Sequence, residues 1–127
     1  MRLPAFAYAL EPLSVQHNRT FRCNVAKLDR YLQEQAGQDM RRRVAAPFVL
    51  HDLETGRIAG YYTLAATSIQ LEDLPQEIRK KLPKYPLLPA TLLGRLAVDE
   101  HYQGQGLGTF LLLDALRRSI ESEIASA

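Results

Sequence analysis

Residues Leu92–Arg118 read LLGRLAVDEHYQGQGLGTFLLLDALRR and carry the most informative pattern in the chain. The apolar, partly β-branched run that ends at Val98 is long enough for one buried strand. A polar turn, Asp99–Tyr102, follows, and Gln103–Gly108 then leads directly into a helical pattern. Glycines between a strand and a helix allow a positive φ and leave no Cβ in the way of a ligand. Because the first amides of a helix have no intrahelical acceptor, this arrangement is typical of a site for a phosphate or pyrophosphate group.

The glycine spacing excludes two common phosphate-binding motifs. A P-loop requires a Gly-Lys pair, and the chain contains none. A dinucleotide fingerprint would require a third glycine where Thr109 stands. The pattern that fits is Gln/Arg-x-x-Gly-x-Gly/Ala, formed by Gln103, Gly106 and Gly108. A plain tight turn is the alternative interpretation of these residues.

The composition is that of one soluble globular domain over residues 1–127, with 46% hydrophobic and 24% charged residues. The net charge of +2 is too small to indicate nucleic-acid binding by itself. The single cysteine, Cys23, excludes an internal disulfide and is expected to be a small buried side chain. No stretch approaches the roughly 18 apolar residues of a membrane span, and the N-terminus has no signal-peptide pattern. A cytoplasmic location is therefore expected.

Hydrophobic periodicity and turn residues predict four strands and four helices. The predicted strands are Ala5–Leu10, Val44–Leu50, Arg57–Ile69 and the run ending at Val98; the predicted helices are Asn24–Ala36, Gln38–Arg43, Leu74–Leu82 and Leu107–Ile124. Asn24 is expected to cap the first helix and Gly37 to separate it from the second. Pro47 indicates an edge strand or a bulge, and Glu54–Gly56 a hairpin turn.

The last helix has an apolar stripe that is expected to pack on the sheet. The stripe consists of Phe110, Leu113, Leu116, Ile120 and Ile124, widened by Leu112 and Ala115. Asp114 is expected to pair with Arg117 or Arg118 on the solvated side.

The segment Leu93–Asp99, followed by Gln103, Gly106 and Gly108, resembles the coenzyme A-binding motif of the GNAT superfamily of N-acetyltransferases. Four further segments are similar to the acetyltransferase toxins of bacterial toxin–antitoxin pairs: Phe21–Cys23, Leu28–Leu32, Ala36–Arg42 and Gly60–Leu64. The resemblance implies an α/β (α+β) fold with a mixed, mainly antiparallel sheet flanked by helices. Residues 1–127 would form its N-terminal portion, ending with the helix after the glycine turn.

The resemblance implies acetyl-coenzyme A as cofactor. Main-chain groups of Leu96 and Val98, on either side of Ala97, would hold the pantetheine arm alongside the strand like an added strand. Their side chains are expected to pack in the core. The pyrophosphate would be held by the amides of Gln103, Gly104, Gln105, Gly106, Leu107 and Gly108.

No catalytic residue is assigned, because the tyrosine that often acts as the acid in this superfamily would follow the fifth strand, beyond Ala127. Tyr61 and Tyr62 could line an acceptor channel, although strand alternation turns only one of them inward. Tyr102 is expected at the rim. The three histidines, His17, His51 and His101, fall in predicted loops without metal-ligand spacing, so no metal is predicted.

Two basic runs are candidates for RNA contact: Arg41, Arg42 and Arg43, and Lys80 with Lys81. Arg and Lys supply most of the sequence-independent affinity of proteins for nucleic acid, because they contact its phosphates. A solvated surface is the alternative interpretation of both runs. The toxin resemblance implies an aminoacyl-tRNA acceptor, whose α-amino group is acetylated to stop translation, and a cognate antitoxin as partner.

Three functional hypotheses follow. The first is a toxin acetyltransferase acting on aminoacyl-tRNA. The second is a truncated, inactive relative that serves as a coenzyme-binding, dimerisation or antitoxin-binding module, and the third is an acetyltransferase for a small-molecule or protein amine. The strand ending at Val98 would be an edge with unpaired main-chain groups, so a homodimer or strand-exchanged oligomer is expected.

Overall fold

The computed structural model describes the backbone of residues 7–126 and the side chains of residues 7–121. Four antiparallel strands form one sheet in chain order: β1 Tyr8–Pro12, β2 Ala46–Asp52, β3 Ile58–Gln70 and β4 Leu87–Val98. With helices packed on it, this sheet confirms the expected α/β fold class. The start of the predicted strand Ala5–Leu10 lies outside the described residues, and its described part lies in or next to β1.

The helical segment between β1 and β2 is continuous. It comprises α1 (Ala26–Arg30), a π-helical turn (Tyr31–Gln35) and α2 (Ala36–Arg41). The predicted break at Gly37 is wrong, because this glycine is buried inside α2. Asn24 is not the N-cap: it has a φ of 72°, and Val25 takes the cap position. The Asp29 carboxylate accepts the Cys23 amide at 2.8 Å instead, which fixes the chain as it enters the helix.

Two further sequence expectations are corrected. The predicted helix Leu74–Leu82 is reduced to α3, Gln76–Arg79, preceded by a 3-10 turn. Pro47 marks neither an edge nor a bulge, because β2 lies between β1 and β3 and the irregularity of the β2–β3 pair is at Leu50/His51. A proline is tolerated here because it is only the second residue of its strand.

Helices cover both faces of the sheet, so two hydrophobic cores form. Phe21, Leu32, Val49 and Tyr61 belong to the core under α1 and α2. The core under α4 (Leu107–Ser126) consists of Leu50, Ala59, Tyr62, Tyr102, Leu107, Leu111 and Ala115. Tyr61 and Tyr62 point to opposite faces and are both 0% exposed, so the expectation that only one is inward is wrong.

The predicted apolar stripe of α4 is not the side that packs on the sheet: of the described residues expected there, only Ala115 is buried, and the side chain of Ile124 lies outside the described residues. Leu107, Leu111 and Ala115 are buried at four-residue steps. Leu113, Leu116 and Ile120 of the predicted stripe are 61%, 52% and 61% exposed. The helix has apolar residues on both sides, so periodicity alone could not select the packed one. No helix within residues 7–126 is both long enough and apolar enough to cross a membrane.

Candidate functional site

The turn after β4 is anchored by a buried carboxylate. Asp99 accepts the amide of Arg22 at 2.9 Å and the amide of His101 at 2.9 Å, and it caps the 3-10 turn Glu100–Tyr102. Burial opposes ionisation of Asp99, but these hydrogen bonds outweigh it and hold the pKa of the carboxyl below its ordinary value. The predicted polar turn at Asp99 is confirmed, and the Asp99 carboxylate joins this turn to the connector before α1.

Tyr102, two residues before Gly104, is held in place by hydrogen bonds. Its side chain is buried, and its hydroxyl donates to Asp52 at 2.6 Å and lies 3.1 Å from Thr55 Oγ1 in the hairpin between β2 and β3. The predicted rim position is therefore wrong. Because Asp99 and Tyr102 are both held, the glycine segment begins from a rigid point.

The glycine segment presents unpaired amides to open space. Gly104 and Gly106 both have a φ of 81°, and a Cβ added to either would meet nothing within 4 Å. Among the hydrogen bonds of the described residues, none is donated by the amides of Gln103–Thr109. Since α4 begins at Leu107, its dipole adds partial positive charge at the same point. These features fit a phosphate or pyrophosphate group.

A free strand edge continues from the glycine segment. β4 pairs only with β3 in the described sheet, so its other edge has no strand beside it. The register shift between Thr63 and Leu64 leaves Gly94 without a partner, as a bulge on β4. The side chain of Ala97 is buried in one core, and Leu96 and Val98 pack against the other, as expected.

Gln103 links the strand end to the glycine segment through its side chain, which sequence analysis did not predict. Its Nε2 donates to the Val98 carbonyl at 3.0 Å. A carbonyl oxygen has two lone pairs, so Val98 can still accept a ligand amide. The Gln103–Val98 hydrogen bond ties the start of the segment that contains the six predicted residues, Gln103 to Gly108, to the end of the Leu96–Val98 edge.

Arg95 is a fixed cation beside this edge that sequence analysis missed. Its guanidinium carbon lies 3.6 Å from the centroid of the Tyr31 ring, a cation–π contact. It takes part in no ion pair among the described side chains. Burial, and then the hydrogen bond to Asp39, raise the pKa of Tyr31 to about 12, so the ring stays neutral under the cation. The available signal was a single arginine inside an apolar strand.

The two tyrosines considered for an acceptor channel are core residues. The Tyr61 hydroxyl donates to the Leu28 carbonyl at 2.8 Å, and the Tyr62 hydroxyl donates to Asp114 at 2.5 Å. Burial raises the pKa of both phenols. Neither lines an open channel, so that expectation is wrong. Asp114 also accepts from Arg117 and Arg118, which confirms the predicted pairing but places the carboxylate against the sheet rather than in solvent.

The predicted basic residues are at the surface on separate elements. Arg41 ends α2 and Arg42 and Arg43 follow it, whereas Lys80 and Lys81 follow α3. All five are exposed, and none forms an ion pair with the described residues. They remain available for anionic ligands.

Two of the three histidines, His17 and His51, lie close together in the fold although they are far apart in the sequence. His101 pairs with Asp99 at 2.7 Å. His51 lies in β2 rather than in a loop, and it comes together with His17 and Glu11. Chain spacing did not reveal this cluster because its members come from three segments.

Comparison with known proteins identifies the family. A model of the acetyltransferase (GNAT) family matches residues 14–126, so the chain belongs to that family. It is 36% identical to the tRNA-acetylating toxin of Mycobacterium tuberculosis over 103 residues, which are 81% of this chain and 60% of the relative. The chain thus spans about 60% of the length of the curated relatives it matches.

Two solved structures support the same fold and extend the comparison to ligands. AtaT complexed with acetyl-methionyl-tRNAfMet superimposes with a TM-score of 0.84 at 27% identity, covering 94% of this chain and 72% of that one. AtaTR bound with AcCoA gives a TM-score of 0.79 at 26% identity over the same shares. The acetylated tRNA is bound by AtaT and the AcCoA by AtaTR.

Proposed function

We propose that this chain is part of an acetyl-coenzyme A-dependent N-acetyltransferase of the toxin type, which acetylates the α-amino group of an aminoacyl-tRNA and so blocks translation. The observation that carries the proposal is the row of unpaired amides from Gln103 to Thr109, which continues the free edge of β4. The relatives with named activity are a tRNA-acetylating toxin and a toxin in complex with acetylated tRNA.

The residues that would hold the coenzyme contribute backbone groups. Amides of Gln103–Gly108 would bind the pyrophosphate, and the main chain of Leu96 and Val98 would bind the pantetheine arm by ladder hydrogen bonds. Bound acetyl-coenzyme A supplies the acetyl group as a thioester. The buried anchors Asp99 and Tyr102 keep the amides in place before the ligand arrives, which reduces the entropy lost on binding.

The acceptor side would be recognised by side chains. The exposed cations of Arg41–Arg43 and of Lys80 and Lys81 would contact tRNA phosphates. Such an acceptor is found in the cytoplasm, where we place the enzyme, with a cognate antitoxin as partner.

A transfer assay tests this function. In three parallel reactions, the chain and radiolabelled acetyl-coenzyme A are incubated with one acceptor each: an aminoacyl-tRNA, a polyamine or a peptide. We expect label only on the charged tRNA, and deacylated tRNA, which lacks the amine, serves as the matched control. Transfer to the polyamine or the peptide would refute the toxin assignment in favour of a small-molecule or protein acetyltransferase.

A second candidate is a coenzyme-binding module without turnover. The observation that favours it is that the hydroxyls of Tyr31, Tyr61, Tyr62 and Tyr102 all donate to protein acceptors. None of these four is therefore free to protonate a leaving thiolate. Calorimetric binding of acetyl-coenzyme A without transfer to any acceptor would favour the module.

A further inference from the structure

Glu11, His17 and His51 meet at the β1 side of the sheet, and all three are distant in sequence from the glycine segment. Glu11 pairs with Val49, and His51 pairs with Ala9, so Glu11 and His51 share a sheet face on neighbouring strands. His17 comes from the connector between β1 and α1. One potential ligand atom from each residue lies within 4.8 Å of the other two. His17 is buried, whereas His51 and Glu11 are partly exposed, so the cluster is closed on one side only.

Both imidazoles converge on one carboxylate oxygen. His17 Nε2 lies 2.8 Å and His51 Nδ1 lies 3.3 Å from Glu11 Oε1. The Ser14 amide donates to His17 Nδ1 at 2.9 Å. Since Nδ1 accepts that hydrogen bond, His17 carries its proton on Nε2 and donates it to Glu11. The hydrogen bond from His17 lowers the pKa of Glu11, against the effect of its burial, so the carboxylate is ionised at neutral pH.

We propose that Glu11, His17 and His51 form a binding site for a divalent transition-metal ion of the Zn²⁺ class. Two imidazoles and one carboxylate are a donor set that zinc takes in open sites, with water in the fourth position. Zinc bonds of about 2.0–2.2 Å place tetrahedral ligand atoms roughly 3.3–3.6 Å apart. The His51–Glu11 separation already has this value, and the His17–Glu11 contact must open by about half an ångström.

Ion binding requires His17 to change tautomer. To ligate through Nε2, the ring must carry its proton on Nδ1 instead. The Ser14 hydroxyl oxygen, 3.3 Å from Nδ1, can accept a hydrogen bond from that Nδ1–H group. The Ser14 amide then loses its ring acceptor. Ser14 therefore becomes the residue that orients the ligand, and the bound ion links β1, the connector and β2.

The experiment is a calorimetric titration of the metal-free chain with zinc chloride, together with thermal unfolding. We expect one equivalent to bind and the unfolding temperature to rise. His17→Gln and His51→Gln should each weaken binding at least tenfold, whereas His101→Gln, the third histidine of the chain, should leave it unchanged. No binding, or binding that survives both substitutions, would overturn the proposal.

Two further measurements keep the test valid if a buried-histidine variant unfolds. The ¹⁵N chemical shifts of His17 in the unsubstituted chain should report Nε2–H without zinc and Nδ1–H with it. Ser14→Ala should weaken zinc binding severalfold without unfolding the chain, since Ser14 is only partly buried. An unchanged tautomer in the presence of bound zinc would contradict the assignment.

Discussion

Replacing Gly106 with alanine tests the glycine segment with little disturbance of the protein's packing. Gly106 has a φ of 81°, and a Cβ at this position would meet no protein atom within 4 Å. The substitution therefore adds backbone strain and a methyl group on the side from which a phosphate would approach. Any loss of ligand binding cannot come from a clash with the rest of the chain.

The expected magnitudes follow from these two effects. A non-glycine residue in the left-handed region costs about 1–2 kcal/mol, which should appear as lower stability. A hydrogen bond to a charged group contributes roughly 1.5–3 kcal/mol, so displacing one amide–phosphate contact should weaken binding roughly 10- to 150-fold. Gly106→Ala should therefore lose both stability and affinity for acetyl-coenzyme A.

Gly56 provides the matched control. It has a φ of 77° in the hairpin between β2 and β3, and a Cβ there also meets nothing within 4 Å. Urea unfolding of Gly56→Ala and Gly106→Ala should show similar losses of stability. Calorimetric titration with acetyl-coenzyme A should show weaker binding for Gly106→Ala alone. Equal affinity of the two variants would refute the assignment of the pyrophosphate to this segment.

Three other predictions concern surfaces and buried charge. Alanine at all of Arg41–Arg43 should weaken tRNA binding and lower its salt slope by about 2–3, with acetyl-coenzyme A binding unchanged; unaltered tRNA binding at low salt would contradict this. The pKa of Asp114 is held low, because hydrogen bonds from Tyr62, Arg117 and Arg118 outweigh its burial. Its stabilisation is therefore complete above the unfolded-state pKa of about 3.9 and is lost as the pH falls through the lower folded-state pKa. In urea unfolding, Asp114→Asn should be about 1.5–3 kcal/mol less stable at pH 7, with the difference fading below about pH 4. With the β4 edge and Leu113 exposed, light scattering should show self-association of the chain, reduced by Leu113→Glu; a monomer at high concentration would contradict it.

The sequence predicted those elements whose signals are local. The strand expected at Arg57–Ile69 is observed at Ile58–Gln70, and the turn expected at Glu54–Gly56 has its glycine at positive φ. These succeed because β-branched alternation and turn glycines act within a few residues. Asn24 fails for the opposite reason: its neighbour Val25 occupies the N-cap position, and the chain before the helix is held by Asp29, which accepts the Cys23 amide from within α1.

Contacts between residues that are distant in sequence could not be predicted from these local patterns. The packed face of α4 was misassigned because Leu111 and Leu113 are equally apolar, and only the position of the sheet distinguishes them. Similarly, His17 and His51 are 34 positions apart in sequence; the pairing of β1 with β2 brings His51 to Glu11, which His17 contacts from the connector after β1. Tyr102 was placed at the rim because its acceptor, Asp52, is distant in sequence.

The proposed coenzyme contacts lie within one short segment of the sequence, whereas the proposed acceptor contacts come from several separate segments. The proposed coenzyme contacts are main-chain groups, so a short motif that sets φ at Gly104 and Gly106 and begins a helix at Leu107 is sufficient to present them. The proposed acceptor contacts are instead side chains that come from separate elements, such as Arg43 after α2 and Lys80 after α3. A motif therefore predicts the coenzyme class with some specificity, whereas the acceptor has to be established by the transfer assay and by the salt dependence of the arginine variants.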